Sequence, residues 1–99
     1  MKLTRDQKEI QRIVCAACRH DGVIVVGIRH LDSLMCNTIK LMYPNEKPSS
    51  IFIKFAHEEG FVNQFGNYLT RKEALIIAKR MNQIYRETGD DELFSENLY

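Results

Sequence analysis

Apolar positions along this chain change their spacing repeatedly, and each change predicts an element. Leu31, Leu34, Met35, Thr38, Ile39 and Met42 recur three and four apart, the spacing of one helix face. Asp32 or Ser33 is placed to cap that helix and Pro44 to close it. Ala74, Ile77, Ala78, Met81 and Ile84 repeat the spacing, with Leu75 at the edge of the stripe. In front of them, Thr70-Arg71-Lys72-Glu73 has the form of a capping box, with Leu69 in the staple position. Thr4-Arg5-Asp6-Gln7 has the same form, with Leu3 as its staple, and predicts a short helix early in the chain.

Elsewhere the pattern is that of strands. Val23-Ile24-Val25-Val26 is the strongest strand signal and follows a turn signal, Asp21-Gly22. Residues 12–19 fit two readings. Ile13 to Cys18 suits a short buried strand that completes a hairpin about Asp21-Gly22, whereas Ile10, Ile13, Val14 and Ala17 also fit a helical stripe. Gly60 to Gln64 reads as a strand, Phe65-Gly66-Asn67 as a turn and Tyr68-Leu69 as the return strand. Pro44, Asn45, Pro48, Ser49 and Ser50 predict a turn-rich connection. Inside it, Ile51 to Phe55 reads as a strand or as a loop anchored by its aromatic residues. Gly89-Asp90-Asp91 ends the regular structure. The expected fold is α+β: one domain over residues 1–99, a small antiparallel sheet packed with two main helices.

Leu93-Phe94-Ser95-Glu96-Asn97-Leu98-Tyr99 places four apolar side chains on a tail that cannot fold alone. It must dock on its own core or on a neighbouring subunit to offset its ordering entropy. A chain of 99 residues buries roughly two thirds of the surface its unfolded form exposes and is modestly stable at best as a monomer, so assembly as a homo-oligomer is expected.

Charge changes this picture little. Lys and Arg total 14 against 13 Asp and Glu, which provides no global field for a nucleic acid polymer or a membrane. Any anion site is therefore local. Cys15, Cys18 and Cys36 cannot all pair within the chain, and MKLTRDQKE does not resemble a secretory leader. A reducing cytoplasm is the expected setting, with the thiols as small core residues. Cys15-Ala-Ala-Cys18 has CxxC spacing but lacks a second pair of ligands, so no metal and no cofactor is expected.

The candidate chemistry gathers at two places. Thr70 and Arg71 open a helix, where unpaired N–H groups and the dipole favour an anion, and a guanidinium suits phosphate. Phe61, Phe65 and Tyr68 offer aromatic faces nearby, and Asn63, Gln64 and Asn67 offer amides for base or sugar edges. Against this stands the plainer reading, that Thr70 only caps, Arg71 is solvated and the aromatics are core. Arg29-His30, between a strand and a helix, is the second place. Arg29 suits a phosphate and His30 a sugar or base, unless the pair is tied up in an ion pair to Asp32 or as a buried, satisfied histidine. His57-Glu58-Glu59 reads as a solvated run, and His20, beside the turn, as exposed and idle. No catalytic motif is present, so no catalytic residue is assigned.

Five stretches fall in a fixed order: Gly27-Ile28-Arg29-His30, Glu59-Gly60-Phe61, Gly66-Asn67-Tyr68-Leu69-Thr70-Arg71-Lys72-Glu73-Ala74, Ile77-Ala78 with Asn82-Gln83-Ile84, and Leu93-Phe94-Ser95-Glu96-Asn97-Leu98-Tyr99. The arrangement resembles a family of small bacteriophage proteins that looks to include the phage anti-Thoeris proteins of the first type. The likeness spans residues 27 to 99 and is weakest between 36 and 58. It implies a non-enzymatic sponge that binds cyclic ADP-ribose isomers or cyclic oligonucleotides, assembled as a dimer or hexamer in the host bacterial cytoplasm. Carried onto this chain, it implies that Phe61, the turn and Arg71 hold the ligand near a subunit boundary and that Arg29-His30 completes the site. Together with the polar residues read above, the candidate ligand-binding set is Arg29, His30, Phe61, Asn63, Asn67, Thr70 and Arg71. The chain departs from the family's pattern at Thr70, usually small or acidic, and at Met81-Asn82-Gln83, usually Ala-Gly-Gln. Two rival readings stay open: a phage protein that modulates a host protein, and a nucleotide-cleaving enzyme using His30 or His57.

Overall fold

The structure is a computed structural model that describes residues 2–87, 89 and 91–98. Asp90 of the Gly89–Asp91 turn and Tyr99 of the tail lie outside the described residues. The elements run α1 (Arg5–Glu9), β1 (Ile13–His20), β2 (Val23–Gly27), α2 (Ser33–Met42), α3 (Pro48–Ala56), β3 (Glu59–Asn63), β4 (Tyr68–Thr70) and α4 (Arg71–Arg80), followed by a 3-10 turn at Ser95–Asn97. The four strands form one antiparallel sheet in the order β2-β1-β3-β4. The α+β reading holds.

Local chemistry accounts for most boundaries. Thr4 and Thr70 each form a reciprocal capping box, with Gln7 and Glu73 respectively. Asp32 caps α2 through its carboxylate, which accepts from Met35 N at 2.9 Å. The ambiguous segment is strand from Ile13 to His20: tertiary pairing on both sides of β1, to β2 and β3, overrides the helical stripe. Asp21 and Gly22 both take positive φ (51° and 77°), as the tight turn into β2 requires.

Two expectations are corrected. Ile51 to Phe55 is neither strand nor loop but the body of α3. Pro48 occupies the first turn of that helix, where its missing N–H costs nothing, and Ile51 and Phe55, four apart, turn inward. The sheet is thus packed with three helices of nine or ten residues rather than two. His20 is not idle: its ring meets Phe55 edge-on at 5.5 Å.

All three long helices pack on one face of the sheet. Cross-strand neighbours Ala16, Phe61 and Leu69 meet Ala74, Ile77 and Ala78 of α4 and Leu93 of the tail. Cys18 and Val25, also paired, meet Met35, Ile39, Ile51 and Phe55 of α2 and α3. A register shift between Ile13 and Cys15 turns Ile13 back to the core and leaves Val14 outside. On the opposite face, Tyr68 lies across Gly60, where a Cβ would collide with its ring and with the Leu69 carbonyl. Arg19 stacks over Tyr68 at 4.2 Å. Ile24 and Val26 on that face remain 40% and 43% exposed.

Candidate functional site

Arg71, the first residue of α4, sits at the centre of the candidate site. Its guanidinium donates to Glu59 Oε2 at 2.7 Å and to the Leu93 carbonyl at 2.8 Å, and lies 4.6 Å from the Phe94 ring centroid. The Leu93 N–H donates back to the Arg71 carbonyl at 3.0 Å. One arginine thus ties the start of α4 to the start of β3 and to the tail. The ion pair is mostly shielded, with side-chain exposures of 16% and 26%, so it carries more weight than an open surface pair.

Clefts open on both sides of this pair. One, of about 290 Å³, is lined by Arg29, His30, Glu59, Arg71 and the tail residues Phe94 to Glu96. The other, of about 350 Å³, is lined by Arg19, His57, Glu58, Glu59, Tyr68, Thr70, Arg71, Lys72 and Glu92. Both approach the lower end of the size range of small-ligand sites. Cations and carboxylates alternate in each.

The 27–32 loop is built to present Arg29 and His30. Asp32 accepts from Ile28 N, Arg29 N and Met35 N at 2.9, 3.1 and 2.9 Å. Burial works against its charge, but these three donors together hold its carboxyl below the usual carboxylate range. Gly27 leaves room for that carboxylate, which a Cβ would meet at 2.5 Å. Leu31 completes the loop with a positive φ of 53°.

His30 is enclosed. One ring nitrogen lies 2.6 Å from the Gly60 carbonyl, the other 3.3 Å from Ser95 Oγ and 3.9 Å from Glu59 Oε2. The Phe61 ring stands edge-on to it at 5.0 Å. A carbonyl only accepts, so Nε2 carries the proton and Nδ1 takes the Ser95 hydroxyl. Burial pushes the imidazole below its ordinary pKa, Arg71 adding to the effect while the Gly60 carbonyl and Glu59 oppose it.

The structure brings Arg29, His30 and Arg71 to one cleft, with Thr70 lining the other. It does not bring the remaining three. Phe61 is fully buried under α4 and the tail, with its ring against His30. Asn63 is 2% exposed. Its amide donates to Gln11 Oε1, and its carbonyl oxygen accepts from Phe65 N and Asn67 N at 2.9 Å each. That geometry makes Asn63 the organiser of the 63–67 turn, and Asn67 belongs to the same turn at the far end of β3. The anion role of the α4 start is also modified: Thr70 accepts from Glu73 N, and Glu73 folds back on Thr70 N at 2.9 Å, placing a carboxylate at that terminus.

Glu59 is the residue sequence reasoning passed over. It was grouped with His57 and Glu58 as solvated, which holds for those two and not for Glu59. The available signal was the apolar run that follows: Glu59 opens β3, and the other four residues of that strand are all buried. Cys18, second thiol of the CxxC pair, is buried in the core, and burial followed by Glu59 pushes it up to about 12. Among the described residues, no group of histidine, cysteine and carboxylate side chains is placed to hold a metal.

An antiparallel sheet with helices on one face, and charged clefts beside a docked tail, defines a small α+β domain. The chain belongs to the phage T4 y16D protein family, whose pattern it matches over residues 12–99. No curated protein and no solved structure matches it. It is a bacteriophage-type protein, and among the described residues no helix is long and apolar enough to cross a membrane.

Proposed function

We propose that this protein binds and sequesters a cyclic nucleotide immune signal, a cyclic ADP-ribose isomer or a cyclic oligonucleotide, in the host cytoplasm and without cleaving it. The observation that carries the reading is the convergence of Arg29, His30 and Arg71 on one cleft beside the Phe94 ring. A guanidinium suits a phosphate, and an aromatic face suits a base. The resemblance to the anti-Thoeris sponges supplies the ligand class and the expectation of a dimer or hexamer. Arg71 keeps donors beyond the two used by Leu93 and Glu59, since a guanidinium carries five.

A thermal-shift panel of cyclic ADP-ribose isomers and cyclic di- and trinucleotides tests this directly. Ligand at a hundredfold excess over its Kd adds about 2.7 kcal/mol, a shift of several degrees for a chain of this size. Mass spectrometry of heat-released ligand separates a sponge, which returns it intact, from an enzyme, which returns product. Absence of any shift would sink the nucleotide reading. A second reading, modulation of a host protein, is favoured by the exposed apolar Val14, Ile24 and Val26; it predicts a flat panel.

A further inference from the structure

The ion pair of Glu59 engages only half of its carboxylate. Glu59 stands opposite Cys18 of β1, whose side chain is in the core, so it shares the helix-covered face of the sheet and meets Arg71 and His30 there. Both contacts use one oxygen. Oε2 accepts from Arg71 at 2.7 Å and stands 3.9 Å from His30 Nδ1, whereas among the described residues Oε1 accepts from nothing. The side chain is 26% exposed and borders both clefts.

His30 is not free to hold a sugar. Its Nε2 lies against the Gly60 carbonyl at 2.6 Å and its Nδ1 against Ser95 Oγ at 3.3 Å, so both ring nitrogens are committed to the protein. Glu96, the other carboxylate of that cleft, is exposed on the tail, while Arg71 fixes Glu59 in place. The cleft therefore presents its fixed acceptor through Glu59 and not through the imidazole.

Arg71 also fixes the spacing. A phosphate on its remaining N–H groups and a donor on Glu59 Oε1 must be close neighbours within the ligand, because the two side chains are themselves in hydrogen-bond contact. A hydroxyl on the sugar carbon beside the one that bears the phosphate meets that demand. An exocyclic amine, across the sugar on the base, does not. A phosphate with no such donor is disfavoured, since its charge would lie beside an unanswered carboxylate.

We propose that Glu59 is a specificity-determining residue: Oε1 accepts a hydrogen bond from the ribose hydroxyl vicinal to the phosphate that Arg71 holds. The site then takes ribonucleotides linked through a 2′ or 3′ phosphate and rejects their deoxy counterparts. This inference rests on the nucleotide function proposed above and narrows it. It favours cyclic oligoribonucleotides over ADP-ribose isomers, whose phosphates sit on the 5′ carbon, away from the ring hydroxyls.

Calorimetric titration of the full chain tests it, with cyclic di-adenosine and di-guanosine monophosphates, each beside its 2′-deoxy analogue, and with cyclic ADP-ribose. The better ribonucleotide binds about 10- to 100-fold more tightly than its deoxy analogue, the range of a hydrogen bond to a charged group. Glu59→Gln keeps an oxygen for Arg71 and turns an amide N–H₂ to the cleft, which brings the two affinities together by weakening the ribonucleotide. A residue that only positions Arg71 would weaken both alike and preserve their ratio, and that result overturns the proposal. Equal ribo and deoxy affinities in the wild-type protein overturn it without any variant. Binding of cyclic ADP-ribose but of neither dinucleotide overturns the role of Glu59 and leaves the nucleotide function standing, whereas no binding of any probe removes both.

Discussion

Two halves of this molecule share one sheet face and are held together differently. On the β1/β2 side, α2 and α3 bury Met35, Ile39, Ile51 and Phe55 against Cys18 and Val25, an apolar contact throughout. On the β3/β4 side, α4 and the tail bury Ala74, Ile77, Ala78 and Leu93 against Ala16 and Phe61. There, small residues let α4 lie close to the sheet, and polar groups fill what the alanines leave. Gln83 holds both the N–H and the C=O of Ile13, at 2.8 and 2.9 Å. Asn97 caps Phe94 N and reaches the Arg86 carbonyl at 2.7 Å. Apolar burial is non-directional and tolerant, whereas hydrogen bonds and ion pairs fix one geometry. The two clefts described above lie beside the polar half, around Glu59 and Arg71.

The contrast is sharpest under substitution. Phe55→Ala should cost the most, about 3–5 kcal/mol, because it opens a cavity beside the buried Met35, Ile39 and Ile51. A urea titration reads the loss as a lower midpoint with an unchanged slope. Arg71→Ala should cost less globally, about 1.5–3 kcal/mol for the charge-assisted bonds it removes. It should also release the tail selectively. Hydrogen exchange at Leu93 and Leu98 would rise well before exchange in β1, and uniform acceleration would contradict the strap. Thr70→Ala should cost about 1 kcal/mol as a lost cap, read by the same titration; a loss as large as that of Phe55→Ala would mean that Thr70 does more than cap.

The smallest effect separates the halves by pH. The buried His30 binds its proton less readily in the folded state, so the unfolded chain takes up protons first as pH falls. Stability is therefore full above about pH 6.5, the ordinary histidine value, and declines below it. Asp32 adds to the loss only at lower pH, since its carboxyl is held down. His30→Gln should flatten the first decline and leave the second. Because Ser95 and Gly60 are the ring's partners, tail exchange should quicken over the same pH window. An unchanged pH profile in that variant would assign the decline to another group.

Local signals were legible wherever neighbours in sequence satisfy one another. The capping boxes at Thr4 and Thr70, the cap at Asp32, the Asp21-Gly22 turn and the strand-turn-strand over 60–69 all involve groups within a few positions. α3 was misread because proline and serine signal both turns and helix starts, and only Ile51 and Phe55 meeting a core four residues apart distinguishes them. Strand β1 was ambiguous because its pattern suits either element until β2 and β3 flank it.

For the candidate site, composition and local pattern determined that a helix begins at Arg71 and that a polar loop follows β2. Only the tertiary structure decided what those residues face. Glu59 and Leu93 reach Arg71 across gaps of 12 and 22 positions, and Ser95 reaches His30 across 65. The same long-range packing put Phe61 inside and turned Asn63 to its own loop. Chain periodicity encodes which face of an element is apolar. Which polar group meets which depends on how the elements stack, and that is set by the sheet order and by the tail that closes over it.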